Sequence, residues 1–334
     1  MEMAEDDTRM FQGREYVYAV YREKSFSRAA QKLFISQPSL SAAVKRTEER
    51  IGYPVFDRST KPLKLTECGE KYIAAVEKMM AAEQEFFHYI NDLGELKTGN
   101  LTLGGSSLFS SWILPQIMGR FSRKYPMVKI SLVEESTSRL EELLQNGGVD
   151  LMMDNCDLDN AVFESCVYQK EHLLLAVPGA FAVNGKLQEY AVPAREIRRG
   201  KLSESEIPTV PLEYFRDEPF ALLKPDNDTR KRAMNLCRLH GFEPRMIFEL
   251  DQQQTAYHVT CSGLGVSFVS DTLIIYGGAN PGVVYYRLDG ADSFRNLFFY
   301  WKKGRYFSRA MGEFLKTAGC MKDRKSGNPH EDNI

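Results

Sequence analysis

The sequence predicts an α+β multidomain chain: an all-helical head, one long helix, and a larger domain in which strands and helices alternate. Three observations predict it. Residues 25–51 read as two short helices joined by a tight bend; residues 67–97 form a proline-free run with apolar positions spaced by four and three; and from residue 101 onwards short apolar runs alternate with amphipathic ones. The 334 residues exceed what one hydrophobic core usually serves. At 43% hydrophobic and 26% charged residues the composition is that of an ordinary soluble globular chain.

The head comes first. Ser25 or Ser27 can cap its first short helix, and Ala29, Ala30 and Leu33 give that helix a small apolar face. Phe34 and Ile35 turn the corner into Ser36, a natural N-cap for the next helix, and Pro38 falls in a first turn where its missing N–H costs little. Leu40, Val44 and Ile51 bury one side of that second helix, which leaves Gln37, Ser39, Ser41, Ala42, Lys45, Arg46 and Glu49 on other faces. Such a pair is a helix-turn-helix candidate, and amide, hydroxyl and guanidinium groups on one face suit a DNA major groove. An ordinary amphipathic helical hairpin has the same spacing.

Charge separates the two readings. Between residues 9 and 66 there are twelve lysines and arginines against five acids, whereas the whole chain carries 43 basic and 45 acidic residues. A local basic excess on a balanced protein is the footprint of a segment that neutralises phosphates.

These residues resemble the N-terminal pattern of the LysR-type transcriptional regulators. Ser25, Phe26, Ala29, Ala30, Leu33, Ser36, Gln37, Pro38, Leu40, Ser41, Ile51, Gly52, Phe56, Arg58, Leu65, Thr66 and Gly69 all fall on that pattern in register. Ala42 stands where the family usually has Arg, and Thr47 where it usually has Leu. The first departure removes a long donor from the reading face, and the second trims a core contact. The resemblance implies a winged helix-turn-helix over 9–66, with Gln37, Pro38, Ser39, Ser41, Ala42 and Lys45 at the groove and Arg58 and Lys61 on a wing that grips backbone phosphates.

In the long run, Tyr72, Val76, Met79, Glu83, Phe86, Ile90 and Leu93 form a heptad seam with one charged intruder, Glu83, widened by Ile73, Met80 and Phe87. A helix of about thirty residues spans about 45 Å, too long for a small head to cover. The resemblance makes 67–97 a dimerisation linker that places two heads on one duplex, and it implies a homotetramer formed by pairing of dimers.

Residues 98–100 read as a hinge. Beyond it, strands at 101–103, 128–134 and 149–153 alternate with helices at 108–125 and 138–145, which implies a mostly parallel sheet whose ligands sit at the strands' carboxyl ends. Two loops lie there, one with Ser106 and Ser107, the other with Ser136 and Thr137. Each offers hydroxyls and free N–H groups at a helix start, either as a simple cap or as an anion site. The theme repeats through 171–178, 220–223, 229–240, 246–250, 252–261, 263–269, 283–288, 297–301 and 308–318. Two such α/β lobes resemble the family's effector domain, itself similar to periplasmic solute-binding proteins. That resemblance implies an effector domain over 100–318, one lobe at about 100–176 and 267–318, the other at about 177–266, with the effector between them. Residues 319–334 read as a disordered tail.

Ser106, Ser107, Ser136 and Thr137 are the expected effector contacts from the first lobe, Gln254 and Thr255 from the second, with Gln252 and Gln253 beside them. The family's polar loop positions favour a carboxylate-bearing metabolite. Asp226 and Asp228 bring two carboxylates to a helix start, so an effector with both an acid and a donor group would suit the site. Asp228 is also a candidate helix cap. The stretch 180–211, with Arg195, Arg198, Arg199 and Lys201 close together, reads as a solvated face.

Other chemistry finds little support. Cys68, Cys156, Cys166, Cys237, Cys261 and Cys320 lack metal spacing, and no two of His88, His172, His240, His258 and His330 stand at metal spacing, so no metal or cofactor is expected. No dinucleotide, phosphate-loop or nucleophile-elbow fingerprint points to an enzyme. A solute-binding or enzymatic α/β protein without a DNA-directed role would explain only the second half. No window is apolar enough to span a membrane, and the acidic residues 1–7 are unlike a signal peptide, so a cytoplasmic protein is expected. Its implied partners are operator DNA, a small effector, a second copy of the chain and RNA polymerase.

Overall fold

The structure is a computed structural model that describes residues 10–93, 99–200, 202, 206–225 and 227–321. Thr98 of the expected hinge, Asp226, Lys201 and the expected tail from 322 onwards lie outside the described residues. Two compact units divide between Phe87 and His88.

The first unit opens with α1 (Arg14–Glu23), α2 (Phe26–Lys32) and α3 (Gln37–Ile51). A hairpin of β1 (Phe56–Asp57) and β2 (Lys64–Leu65) follows, in antiparallel register Phe56 to Leu65, and then α4 (Glu67–Leu93). The caps fall where side-chain chemistry places them. Ser25 Oγ accepts from the Arg28 N–H at 3.4 Å and Ser36 Oγ from the Ser39 N–H at 3.2 Å, each such cap contributing about 1 kcal/mol. Thr66 starts α4: its hydroxyl accepts from the Gly69 N–H at 2.9 Å and donates to the Pro54 carbonyl at 2.6 Å. Gly69 is required there, since a Cβ would stand 2.0 Å from the Val55 carbonyl oxygen.

Val17, Val20, Ala29, Ala30, Leu40, Val44, Val55 and Phe56 form the core of this unit with Tyr72, Ile73 and Val76 of α4. Thr47 does more than trim that core. It is fully buried, and its hydroxyl donates to the carbonyls of Ala43 and Gln12 and accepts from Arg50.

The bend between α2 and α3 is strained. Phe34 sits at φ 55°, a left-handed conformation that costs a residue with a Cβ about 1–2 kcal/mol, yet its ring is 95% exposed and returns no packing. Phe34→Asn should therefore raise the stability of this unit by about 0.5–1 kcal/mol in denaturant unfolding, because Asn tolerates the left-handed region. An unchanged midpoint would mean that the strain is absorbed elsewhere.

The heptad seam divides into two parts. Tyr72 and Val76 face the head core, and the charged intruder Glu83 is paired with Arg14. Farther along α4, Phe86 is 62%, Phe87 64% and Ile90 46% exposed.

The second unit runs through β3 (Gly99–Gly105), a π-helical turn (Phe109–Ile113), α5 (Leu114–Lys124), β4 (Val128–Glu134), α6 (Thr137–Asn146), β5 (Leu151–Asp154) and the long β6 (Phe163–Pro178). Gly99 and Asn100, expected in the hinge, already belong to β3. The chain continues with β7 (Ala191–Val192), α7 (Ala194–Arg198), β8 (Pro219–Leu223), α8 (Asp228–Leu239), β9 (Arg245–Leu250), α9 (Gln253–Cys261) and β10 (Ser267–Ser270). It ends with α10 (Asp271–Gly277), β11 (Val283–Arg287), β12 (Phe294–Lys302) and α11 (Arg309–Ala318).

Strand β3 pairs in parallel with β4 and β5, as βαβ connections require, and β12 joins β5 to β6 antiparallel. Strand β6 serves both lobes. Its first part, 163–172, pairs with β12, whereas 173–176 pairs with β10 and 174–178 with β11. The parallel pair β8 and β9 adjoins β10 through the Phe220 to Val266 bridge. This pairing corrects the expected lobe boundaries. Phe268, Tyr286 and Leu288 pack with Leu173, Leu175 and Leu222 in one core of the second lobe, and Tyr285 with Leu174 and Ala176 in another, so 267–288 belongs there and the first lobe resumes with β12. Nonlocal antiparallel pairing decides it, and no local spacing reports that.

The stretch 180–211 is also more than a solvated face. Arg195, Arg198 and Arg199 are exposed, but Leu187, Val192, Ile197, Leu202 and Val210 are buried in the second lobe, and β7 extends its sheet beside β11.

Candidate functional site

On α3, burial of Leu40, Ala43, Val44 and Thr47 turns Gln37, Pro38, Ser39, Ala42, Lys45 and Arg46 outward, while Ser41 is half-buried. Two of these groups are engaged. Ser39 Oγ lies 2.7 Å from Ser36 Oγ in the cap, and Lys45 pairs with Glu49 at 3.6 Å. Glu48 fastens the hairpin to α3: one carboxylate oxygen accepts from the N–H groups of Val55 and Phe56, the other from Arg58 at 2.8 Å. Arg58 also stands 5.4 Å from the centre of the Phe26 ring, so the first of the expected phosphate grips is pinned, with its side chain 47% exposed. Lys61, on the hairpin turn, is exposed.

In the second unit a cavity of about 680 Å³ opens between the lobes. Its walls are the carboxyl ends of parallel strands, where an α/β sheet leaves a crevice. Ser106 and Ser107 follow β3, Ser136 and Thr137 follow β4, and Asp154 ends β5; opposite them Asn227 to Thr229 follow β8 and Gln252 to Gln254 follow β9. Helices α6, α8 and α9 therefore begin at the cavity, as does the helical stretch after Ser106. Their free N–H groups give the crevice a positive partial charge.

The structure brings Ser106, Ser107, Ser136, Thr137 and Gln254 together on these walls but not Thr255. Thr255 is exposed on α9 outside the cavity, because the helical turn that points Gln253 inward rotates the residue two places on away from it. Asn227 rather than Asp228 caps α8, accepting from the Thr229 N–H at 2.9 Å.

Two groups that the sequence reading did not single out organise the cavity. The first is Asp154, which is 2% exposed: its carboxylate accepts from the Thr137 hydroxyl at 2.9 Å and from the N–H groups of Asn155 and Cys156 at 2.7 and 3.1 Å. Burial pushes its carboxyl above the usual range despite those bonds.

The second is Arg295. Its side chain is 3% exposed; Nε donates to Glu171 at 2.7 Å, and Nη1 to Asp228 at 2.7 Å and to Thr229 at 3.0 Å. With its amide oxygen turned toward the guanidinium, Asn155 of the first lobe accepts from Nη2 at 2.8 Å. One cation thus ties both lobes to β6. Burial alone would raise the Asp228 carboxyl, but the charges of Arg295 and Arg232 hold it below the usual range. A signal for Arg295 exists in the sequence, since it shares the alternation of Leu297, Phe299 and Trp301 and so falls on the buried face of β12.

Two family models match the chain. Residues 12–70 match the bacterial regulatory helix-turn-helix protein of the lysR family, and residues 94–319 the LysR substrate binding domain, which alone covers more than half of the sequence. The chain belongs to the LysR family. It is a LysR-type DNA-binding transcriptional regulator with a substrate-binding domain.

Among its relatives is a "Probable RuBisCO transcriptional regulator" of Nostoc sp., 30% identical over 303 residues, which span 89% of this chain and 83% of that one. The HTH-type transcriptional regulator YcgK of Bacillus subtilis is 28% identical over 91% of this chain and 92% of its own length. Full-length CbnR, solved in complex with its target DNA, has the same fold at a TM-score of 0.64, with 18% identity over 92% of this chain and 98% of that one. Full-length OxyR from Pseudomonas aeruginosa gives a TM-score of 0.61 at 20% identity over 92% of each chain. In this LysR regulator no helix among the described residues is long and apolar enough to cross a membrane.

Proposed function

We propose that this LysR regulator reads its operator through the exposed face of α3 as a dimer joined along α4, and that a carboxylate-bearing small molecule held between the lobes modulates it. The observation that carries the second half is the gathering of four helix starts around one cavity, which favours an anionic group there. The first half rests on α3, whose N-terminal Gln37, Pro38 and Ser39 stand exposed, and on the basic hairpin that Glu48 fastens to the same helix. Gln37, Ser41 and Lys45 are the groove contacts in this reading, with Pro38 and Ala42 packing on base edges. Lys61 meets phosphate, and Arg58 does so from its seat on Glu48. The open apolar stretch at Phe86, Phe87 and Ile90 supplies the dimer contact. The protein works in the cytoplasm on double-stranded DNA, with RNA polymerase as the partner through which a family member acts on transcription, and the effector domains join dimers into a tetramer.

Affinity measured against salt tests the reading of the head. Gln37→Ala should cost about 1–3 kcal/mol on the cognate site and relax its base preference. Lys61→Ala should weaken binding to every sequence alike and lower the salt slope by about one. Uniform loss in both variants would remove α3 from the groove.

A further inference from the structure

The two walls of the cavity differ in charge. On the second lobe's side Lys224 pairs with Asp251 at 2.6 Å, and Asp228 is answered by Arg232 of its own helix and by Arg295 of β12. On the first lobe's side stand Glu134, Glu135, Asp154 and Asp157, and among the described residues none of the four has an ion-pair partner. Asp154 is the telling member. It is nearly removed from water yet lines the cavity, and three donors hold it: the Thr137 hydroxyl and the N–H groups of Asn155 and Cys156. A buried carboxylate without a cation is costly, and a cationic ligand group would offset that cost.

The same bond removes Thr137 from the set of free donors, because its hydroxyl proton already points at Asp154. A ligand group on that side thus meets an acceptor. Nor do the acids gather for a metal ion: among the described residues no three His, Cys, Asp or Glu side chains are placed to hold one. An organic cation suits this wall, and a cavity of about 680 Å³ has room for a small metabolite with its water.

We propose that the effector carries a protonated amine, which Asp154 receives at the end of β5. The inference rests on the reading of this cleft as the effector site and narrows its ligand to molecules with an ammonium group at one end and a carboxylate at the other. The carboxylate lies at the starts of α8 and α9 on the second lobe and the ammonium against the first lobe's acids, so the ligand spans the crevice with its two charges matched to the two walls.

Matched ligand pairs test it on the purified full-length protein by titration calorimetry and thermal shift. The probes are aspartate against succinate, glutamate against glutarate and phenylalanine against phenylpropionate, each pair differing by one amine, with putrescine as an amine lacking the acid. At least one amino acid should bind, its amine-free partner about tenfold or more weaker, a difference of about 1.4 kcal/mol. Asp154→Asn, which keeps an oxygen for the Thr137 hydroxyl, should abolish that discrimination. The wild-type comparison stands even if the variant fails to fold. Binding of an acid as tight as that of its amine partner would overturn the amine and leave the carboxylate cleft intact. Putrescine bound in an Asp154-dependent way, with no amino acid bound, would keep the amine and remove the carboxylate. A panel in which nothing binds at millimolar concentration would overturn both.

Discussion

Arg295→Gln is expected to destabilise the effector domain by about 3–5 kcal/mol, the usual result of removing one partner from a buried ion pair. Glu171 is fully buried, and its Oε1 has no hydrogen-bond partner, so the guanidinium is its main compensation. The variant strands Glu171 and leaves Asp228 with Arg232 alone. The chain's two tryptophans, Trp112 and Trp301, both lie in this domain, so fluorescence during guanidinium unfolding reports on it without a signal from the head. Arg295→Met combined with Glu171→Leu should recover part of the loss, since an apolar pair of similar volume leaves no buried charge. A cost below about 1 kcal/mol for Arg295→Gln would mean that water reaches the network.

Phe86→Lys with Ile90→Lys should convert a dimer into a monomer and weaken operator binding along with it. Each large apolar side chain buried at an interface contributes about 1.5–3 kcal/mol, and a two-fold axis counts every residue twice. Charges placed there would be buried unpaired in the dimer. Sedimentation of wild type and variant at micromolar concentration decides the matter. A wild-type protein that sediments as a monomer would sink the proposal that α4 joins two chains.

Local chemistry was legible in the sequence. Ser25, Ser36 and Pro38 act within one helical turn of where they stand, and the hairpin at 56–65 and the start of α4 follow from residues a few places apart. The alternation of strands and helices likewise announced the α/β domain and put Ser106, Ser107, Ser136 and Thr137 at strand ends. What stayed hidden depends on partners far away in the chain. Arg295 meets Glu171 across 124 residues, and β10 and β11 pair with β6 across the whole intervening stretch of chain. Asp154 had no mark of its own, because an acid at a strand end reads as a turn residue until burial is known. Phe34 was hidden differently: nothing in an aromatic residue announces a left-handed backbone.

Strand β6 carries a mechanical consequence. Lobes joined by slack linkers can gape, but here one continuous strand is hydrogen-bonded first to one lobe and then to the other, so the softest relative motion is torsion about β6 itself. In the sheet order, β4 lies four strands from β6. At about 4.8 Å per strand that is a radius of roughly 19 Å, and a twist of about 5° would carry the outer edge through about 1.7 Å. Ligand binding would then leave the radius of gyration nearly unchanged while shifting the sheet's rim, where displacement is greatest.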